Sequence, residues 1–134
     1  MATQVSYEHW QVASGELYYI HPHHRNGNPN KSQWAIGHGD EASCFEGAPT
    51  NVTPSDDQRW GLHLSPGAAT ILGTQREWIA RFLAPTAPPH EWHGFPAARW
   101  PRDRPPDEVL DEWLTATTIT EPQAARLRKG IWQL

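Results

Sequence analysis

The stretch QVSYEHWQVASGELYYIH, residues 4–21, decides how the N-terminal half of the chain folds. Residues 4–12 and 16–21 are rich in aromatic and branched side chains that favour strands, and Ser14-Gly15 between them is typical of a turn. The stretch therefore predicts a β-hairpin. Because side chains alternate along a strand, the polar end of one face of its second arm is His21, which leads into a run of further histidines.

More short strands are predicted beyond the hairpin. Alternating or short apolar runs bounded by turn-forming residues indicate strands at Gln33–His38 and Trp60–Leu64, with a weaker candidate at Ala69–Leu72. Residues 39–59 show no sustained period and predict a long loop that contains a helical turn at Glu41–Phe45. His38 would then return toward the histidine run that follows the hairpin.

The second half of the chain is predicted to be mainly helical. An apolar stripe at helical spacing and a capping box from Thr74 to Glu77 predict a helix over residues 74–84. Two further helices are expected over residues 106–116 and 120–129, the second of which begins with a capping box and stops at a glycine. Residues 85–106 are rich in proline and tryptophan, which favours an extended segment packed across the domain by its aromatic side chains.

These elements predict one α+β domain over residues 1–134. A small, mainly antiparallel sheet from the N-terminal half is expected to be covered by about three helices from the C-terminal half. The order along the chain is strands and loops in 1–73, a helix in 74–84, the Pro/Trp-rich segment in 85–106 and a helical pair in 107–134.

Composition and charge restrict the function. The formal net charge is −4, with eight acids against five bases in residues 1–84 and seven against six in residues 85–134, so binding to duplex nucleic acid is disfavoured. Cys44 is the only cysteine, which excludes an internal disulfide and any zinc site built from several cysteines. The first residues lack the pattern of a secretory signal, and no stretch has the length of a membrane span. We therefore expect a cytoplasmic protein that does not bind membranes.

The histidine run predicts a metal site. Neutral imidazoles and carboxylates are the usual ligands of zinc and other divalent metals, and a catalytic metal needs three of them and an open position. The expected ligands of a zinc or manganese ion are His21, His23, His24, His38 and Asp40.

The same residue types also permit hydrolysis without a metal. Two histidines can serve as general base and general acid while a cation stabilises a pentavalent phosphate, as in ribonucleases that need no cofactor. The candidates are His24, His38 and His63, with Arg25 or Lys31 as the cation. Both versions predict a small His-based hydrolase that acts on a phosphodiester or a similar polar substrate.

A protein-interaction module is the alternative function. Tryptophan and arginine are favoured at interface hot spots, and the segment from Trp92 to Trp100 contains both. Such a module would be an accessory subunit or an immunity-type protein that binds its partner through the Trp/Arg/Pro-rich C-terminal half. In this segment His90 and His93 are expected to bind buried carbonyl groups, with Trp92 and Phe95 as core anchors. The oligomeric state is left open.

Overall fold

The computed structural model describes residues 2–48, 58–65, 67–86, 90–98 and 103–133. Within these ranges the chain forms eight strands and three α-helices. The strands are β1 (Thr3–Gln4), β2 (His9–Gln11), β3 (Leu17–Tyr19), β4 (Gln58–Gly61), β5 (His63–Leu64), β6 (Ala69–Thr70), β7 (Ala80–Leu83) and β8 (Glu91–Pro96). The helices are α1 (His38–Glu46), α2 (Asp107–Thr115) and α3 (Glu121–Arg128), and a short 3₁₀ turn spans Pro22–His24.

The predicted hairpin is present. Strands β2 and β3 pair in antiparallel register, with Trp10 opposite Tyr18. Gly15 in the turn between them has a φ of 90°, a left-handed conformation that glycine adopts without a steric penalty. The first predicted strand is itself divided, because β1 folds back on β2 as an outer edge strand.

Six strands form one mixed sheet in the order β1-β2-β3-β8-β7-β4. Strand β3 pairs with β8 in parallel, and the other neighbours in the sheet are antiparallel. Strands β5 and β6 form a separate small pair. The α+β class is therefore confirmed. The sheet was predicted to come from the N-terminal half of the chain, and this is only partly right. Strands β7 and β8 lie inside the sheet but come from residues 80–96.

The helix predicted over residues 74–84 is wrong. Residues Ala80–Leu83 form β7, in which Ala80 and Phe82 are fully buried and the residue between them is half-buried. A short apolar run suits a buried strand as well as a helix, and pairing with β4 and β8 on either side decides the outcome. The expected capping box is instead a tight turn, in which the Glu77 carboxylate accepts a hydrogen bond from the Gln75 N–H at 2.6 Å.

Two other expectations need correction. The strand predicted at Gln33–His38 is reduced to a single bridge between Trp34 and Gly73, and His38 begins α1. The predicted loop of residues 39–59 contains the rest of α1, so the helical turn expected at Glu41–Phe45 is part of a nine-residue helix. Residues 49–57 of that loop lie outside the described part of the chain.

The Pro/Trp-rich segment also contains an element that was not expected. Residues Glu91–Pro96 form strand β8 between β3 and β7, with burial that alternates along the strand. Trp92 lies in the core, as expected, whereas Phe95, the other expected core anchor, is half-buried on the opposite face of β8. This part of the segment is thus extended but belongs to the centre of the sheet, and residues 87–89 and 99–102 of the segment lie outside the described part of the chain.

One face of the sheet is covered by α1. Tyr18 of β3, Phe82 of β7 and Trp92 of β8 pack there against Phe45, whose ring centroid lies 5.0 Å from that of Tyr18. The C-terminal helices form a second core around Trp60, Trp78 and Ile79, and their buried contributions are Val109, Leu110, Trp113, Ala124 and Leu127. The helices predicted from the C-terminal half therefore close a second core, while the first is closed by a helix from the N-terminal half.

The other face of the sheet, here called the second face, remains partly accessible. Direct pairing across the strands puts Arg81 opposite Phe95 and Leu83 opposite His93, and all four side chains are half-buried. Tyr19 continues this face on β3. Among the described residues, no helix is long and apolar enough to cross a membrane.

Candidate functional site

Four imidazoles converge at the edge of the second face. The ring centroid of His21 lies 4.5 Å from that of His23, 5.9 Å from that of His24 and 5.5 Å from that of His93. We call these four side chains the imidazole cluster. Three of them belong to the predicted histidine run, and the fourth comes from a distant part of the sequence.

Sheet topology brings the four residues together. Strand β3 ends at Tyr19, and Pro22 begins the 3₁₀ turn whose cap is the His21 Nδ1 atom, which accepts a hydrogen bond from the His23 N–H at 3.1 Å. Because β3 runs parallel to β8, the chain leaves β3 beside the part of β8 that carries His93. The proline-led turn then keeps the run compact at that position.

His24 is held in one tautomer. Its Nδ1 atom lies 2.8 Å from the carbonyl oxygen of Ser32, and since a carbonyl can only accept, Nδ1 must carry the hydrogen. The Nε2 atom is then left with a lone pair. The ring also stacks on Phe95, with a centroid separation of 5.2 Å and an interplanar angle of 23°. His24 thus has the orientation required of a general base.

The environment favours neutral imidazoles. Burial lowers the pKa of His24, although the hydrogen bond to Ser32 opposes this, and burial also lowers the pKa of His93. The pKa of His21 is lowered first by burial and then by the neighbouring imidazoles, since two nearby positive charges repel. A positive charge on a neighbouring ring therefore disfavours protonation of His21 and of His24.

Two cavities on the second face flank the imidazole cluster. The larger, of about 560 Å³, is lined by His24, Lys31, Arg81 and Phe95 among others. The smaller, of about 230 Å³, is lined by His93 together with Tyr19, Glu91 and the segment Leu83–Thr86. Leu83 contributes to both. The two cavities therefore meet at Leu83, beside the imidazole cluster.

The charged groups of the larger cavity differ in how they are held. Arg81 donates to Asp103 at 3.1 Å and to the Gln58 side chain at 2.9 Å, so it is fixed in place. Lys31 lies exposed at the rim, where its charge helps to lower the pKa of His24. Glu77 is fully buried in the wall, and burial raises its pKa. Asp103 lines the same cavity and is paired with Arg81, so Lys31 is the cation that the rim presents near His24.

The remaining sequence-predicted residues lie elsewhere. His38 stands at the start of α1, with its ring 5.7 Å from that of Tyr7 at an angle of 75°. Asp40 and His63 line a third cavity, of about 340 Å³, bounded by α1, β5 and α2. Neither lines a cavity that includes His24. The residues predicted to form one site with His24 therefore lie apart from it, His38 at the start of α1 and Asp40 and His63 at the third cavity.

Arg25 serves as an ion-pair partner inside the protein. Its Nε and Nη2 atoms donate to Glu41 Oε1 at 3.1 and 2.7 Å, and Nη1 donates to the carbonyl of Ile36 at 2.7 Å. The other Glu41 oxygen accepts from the Tyr18 hydroxyl at 2.5 Å. Burial raises the pKa of Glu41 to about 7, against the hydrogen bonds from Tyr18 and Arg25. This network ties the histidine run to α1, so the geometry gives Arg25 a positioning role.

The imidazole cluster does not have the geometry of a metal site. Within the described part of the chain, no group of three or more His, Cys, Asp and Glu side chains is arranged to hold a metal ion. The expected ligand set of His21, His23, His24, His38 and Asp40 is accordingly not assembled around one point. Cys44 is buried and free, and burial raises the pKa of its thiol to about 12, which keeps it protonated.

Sequence reasoning did not include His93 in the site. The signal that could have found it is the alternation in EWHGFP, residues 91–96, where Trp92, Gly94 and Pro96 are buried and the residues between them are half-buried. A strand at this position places His93 and Phe95 together on one face. The surrounding prolines obscured the pattern.

Comparisons with known proteins add no function. No protein-family model matches the chain, no curated protein matches it significantly, and no solved structure matches its fold significantly. Function is therefore inferred from the chemistry of the imidazole cluster and the two cavities beside it.

Proposed function

We propose that this protein is a small His-based hydrolytic enzyme that cleaves a phosphodiester or a similar polar ester at the imidazole cluster. The observation that carries the proposal is the His24 ring, whose Nδ1–H is held by the Ser32 carbonyl while Nε2 is left with a lone pair. An oriented, neutral imidazole at the edge of a cavity is the arrangement a general base requires.

His93 is the proposed general acid. It lies on β8, and its ring is 5.5 Å from that of His21, which also lies 5.9 Å from the ring of His24. A charge on His93 lowers the pKa of His24, so a protonated acid and a neutral base can coexist in one molecule. The His21 Nδ1 atom already accepts a hydrogen bond, which makes neutral His21 a donor through Nε2 toward a substrate oxygen.

Lys31 is the proposed partner for the phosphate charge. It lines the larger cavity beside His24 and is close enough to affect the pKa of that ring. Arg25, the alternative cation, is already engaged with Glu41 and Ile36. The proposal uses no bound metal, because the described ligand-type side chains do not form a group that could hold one.

The test is cleavage of two phosphodiesters in the presence of EDTA, with added zinc or manganese in parallel reactions. One is bis(p-nitrophenyl) phosphate, which only water can attack, and the other is 2-hydroxypropyl p-nitrophenyl phosphate, whose own hydroxyl can attack phosphorus. We expect a measurable rate in EDTA and a loss of about 100-fold or more in His24→Ala and His93→Ala. His63→Ala is the matched control, since His63 lines a different cavity. Equal rates in wild type and both cluster variants, with circular dichroism showing all proteins folded, would refute the proposal. Activity only with added metal would refute its metal-free form.

A non-catalytic interaction module is the second candidate. Of the residues proposed for such a surface, Trp92 is poorly placed, since it is only 7% exposed. Arg99 and Trp100 lie outside the described residues. The observation that favours this function lies instead at the β1–β2 edge, where Val5 is 62% and Tyr7 75% exposed. Exposed apolar side chains beside an edge strand favour pairing with another chain.

A photo-crosslinking residue in place of Tyr7 tests this second function. We expect it to trap a defined partner in the producing cell, whereas the same residue in place of exposed Lys129, at the end of α3, should not. Absence of any specific adduct at position 7 would count against this function.

A further inference from the structure

We propose, resting on the function above, that the substrate is single-stranded RNA, whose own 2′-hydroxyl is the nucleophile and whose two adjoining nucleosides occupy the two cavities beside the imidazole cluster. Three features support RNA as the substrate: the source of the nucleophile, the placement of the cavities and the aromatic side chains of the second face.

Within the described part of the chain, no serine or cysteine side chain hydrogen-bonds to an imidazole of the cluster. The serine hydroxyl that does meet a histidine, Ser6 with His9 Nδ1 at 2.8 Å, belongs to the β1–β2 edge. The Cys44 thiol lies in the separate cavity bounded by α1, β5 and α2, and it is buried. Ser32 meets His24 through its backbone carbonyl, not through its hydroxyl. A neutral imidazole can instead deprotonate a hydroxyl that the substrate carries next to its phosphorus, because such an intramolecular nucleophile has a very high effective concentration. RNA has this hydroxyl and DNA does not.

The chemical step follows from these positions. His24 Nε2 takes the proton of the 2′-hydroxyl as O2′ forms a bond to phosphorus. The bond between phosphorus and O5′ breaks, and O5′ takes a proton from the imidazolium of His93. The products are a 2′,3′-cyclic phosphate and a free 5′-hydroxyl, and no oxidant, reductant or further reactant is needed. Water can then open the cyclic phosphate, with the two histidines in exchanged roles.

The two cavities match the two sides of one scissile phosphate. The larger contains His24 and the smaller contains His93, so a diester held between those rings directs one nucleoside into each. Volumes of about 560 and 230 Å³ leave room for a ring system on either side.

Aromatic side chains on the second face favour unpaired bases. Phe95 stacks on His24 at the larger cavity, and Tyr19 lines the smaller one. Flat side chains of this kind bind bases that are not stacked within a duplex. A net charge of −4 disfavours long polyanions, while the exposed Lys31 at the rim suits a single phosphate. The expected substrate is therefore a short or looped single strand that is engaged at one linkage.

The experiment compares matched oligonucleotides in EDTA: an RNA strand, the same strand with one 2′-O-methyl group at the cleaved position, and the DNA equivalent. We expect cleavage of the RNA, with a 2′,3′-cyclic phosphate identified by mass spectrometry, and no cleavage at the methylated or deoxy positions. His24→Ala and His93→Ala, purified in parallel, should lose about 100-fold or more in rate, which also excludes a contaminating nuclease. Phe95→Leu should raise KM more than it lowers kcat, and His63→Ala should behave as wild type.

The outcomes separate this inference from the proposed function. Equal cleavage of RNA and DNA, or products that carry a 5′-phosphate in place of a 5′-hydroxyl, would overturn the 2′-hydroxyl mechanism while leaving a phosphodiesterase. Hydrolysis of bis(p-nitrophenyl) phosphate with no action on any oligonucleotide would overturn the RNA assignment alone. Inactivity on all these substrates would overturn both.

Discussion

Gly94→Ala is expected to destabilise the protein strongly, because β8 has no room for a Cβ atom at this position. Gly94 lies opposite Phe82 in the β7–β8 pair, and a Cβ would overlap the Phe82 ring and lie 2.8 Å from the carbonyl oxygen of Arg81. Phe82 is fully buried and cannot move freely, since its ring centroid lies 5.4 Å from that of Phe45 and 5.7 Å from that of Tyr18.

The expected loss of stability in Gly94→Ala can be calculated from the cost of overpacking a core. Inserting a methyl group into a close-packed core costs about 1–3 kcal/mol, and the upper end applies here because one of the obstructing atoms is backbone in the adjacent strand. For 134 residues the unfolding entropy is about 0.28 kcal/mol/K, so a cost of about 3 kcal/mol lowers Tm by about 10 °C. The same strand carries His93 and Phe95, so the spacing at Gly94 also positions the site.

The assay is differential scanning calorimetry, supported by urea unfolding, with Gly39→Ala as the matched control. Gly39 lies inside α1, where a Cβ would be 3.5 Å from the Trp10 ring, an ordinary contact. Alanine is favoured over glycine in a helix by about 0.5–1 kcal/mol, so the control should keep or raise its Tm. A Gly94→Ala protein that melts within about 3 °C of wild type, or no lower than the Gly39→Ala protein, would refute the packing argument.

Arg25→Ala should lower the free energy of unfolding by about 3–5 kcal/mol at pH 8, because it leaves the buried Glu41 carboxylate without its ion-pair partner. At pH 5, below the Glu41 pKa of about 7, the Glu41 carboxyl is neutral, so urea unfolding should show a smaller loss of stability. The rate of ester cleavage should be greatest below pH 6.5. His24 acts as a base above its pKa and His93 acts as an acid below its pKa, and burial lowers both values from 6.5. A maximum above pH 7 in a pH–rate profile would contradict these roles. Thr120→Ala should lower stability by about 1 kcal/mol through loss of the α3 capping box, and an unchanged urea midpoint would show that the cap contributes nothing.

Local signals in the sequence were sufficient for some elements. The hairpin of residues 4–21 follows from two strand-forming runs around a glycine that tolerates positive φ, and α3 follows from its capping box. The stripe of α2 likewise needs only helical periodicity. Ala80–Leu83 and Glu91–Pro96 are different, because each is a short run whose local preference is ambiguous or opposed by prolines. Their strand conformation depends on neighbours distant in sequence, which periodicity cannot reveal.

The sequence by itself determined which chemical groups the protein contains: a histidine run after the first hairpin, a single cysteine, a modest negative charge and a core that relies on tryptophan. Tertiary structure alone decided which histidines lie together. The parallel pairing of β3 with β8 brings His93 to the histidine run, whereas the helix that begins at His38 and the separate cavity around His63 take those two residues elsewhere. The physical reason is that side-chain chemistry is a local property, while distance between side chains is set by strand pairing across the whole chain.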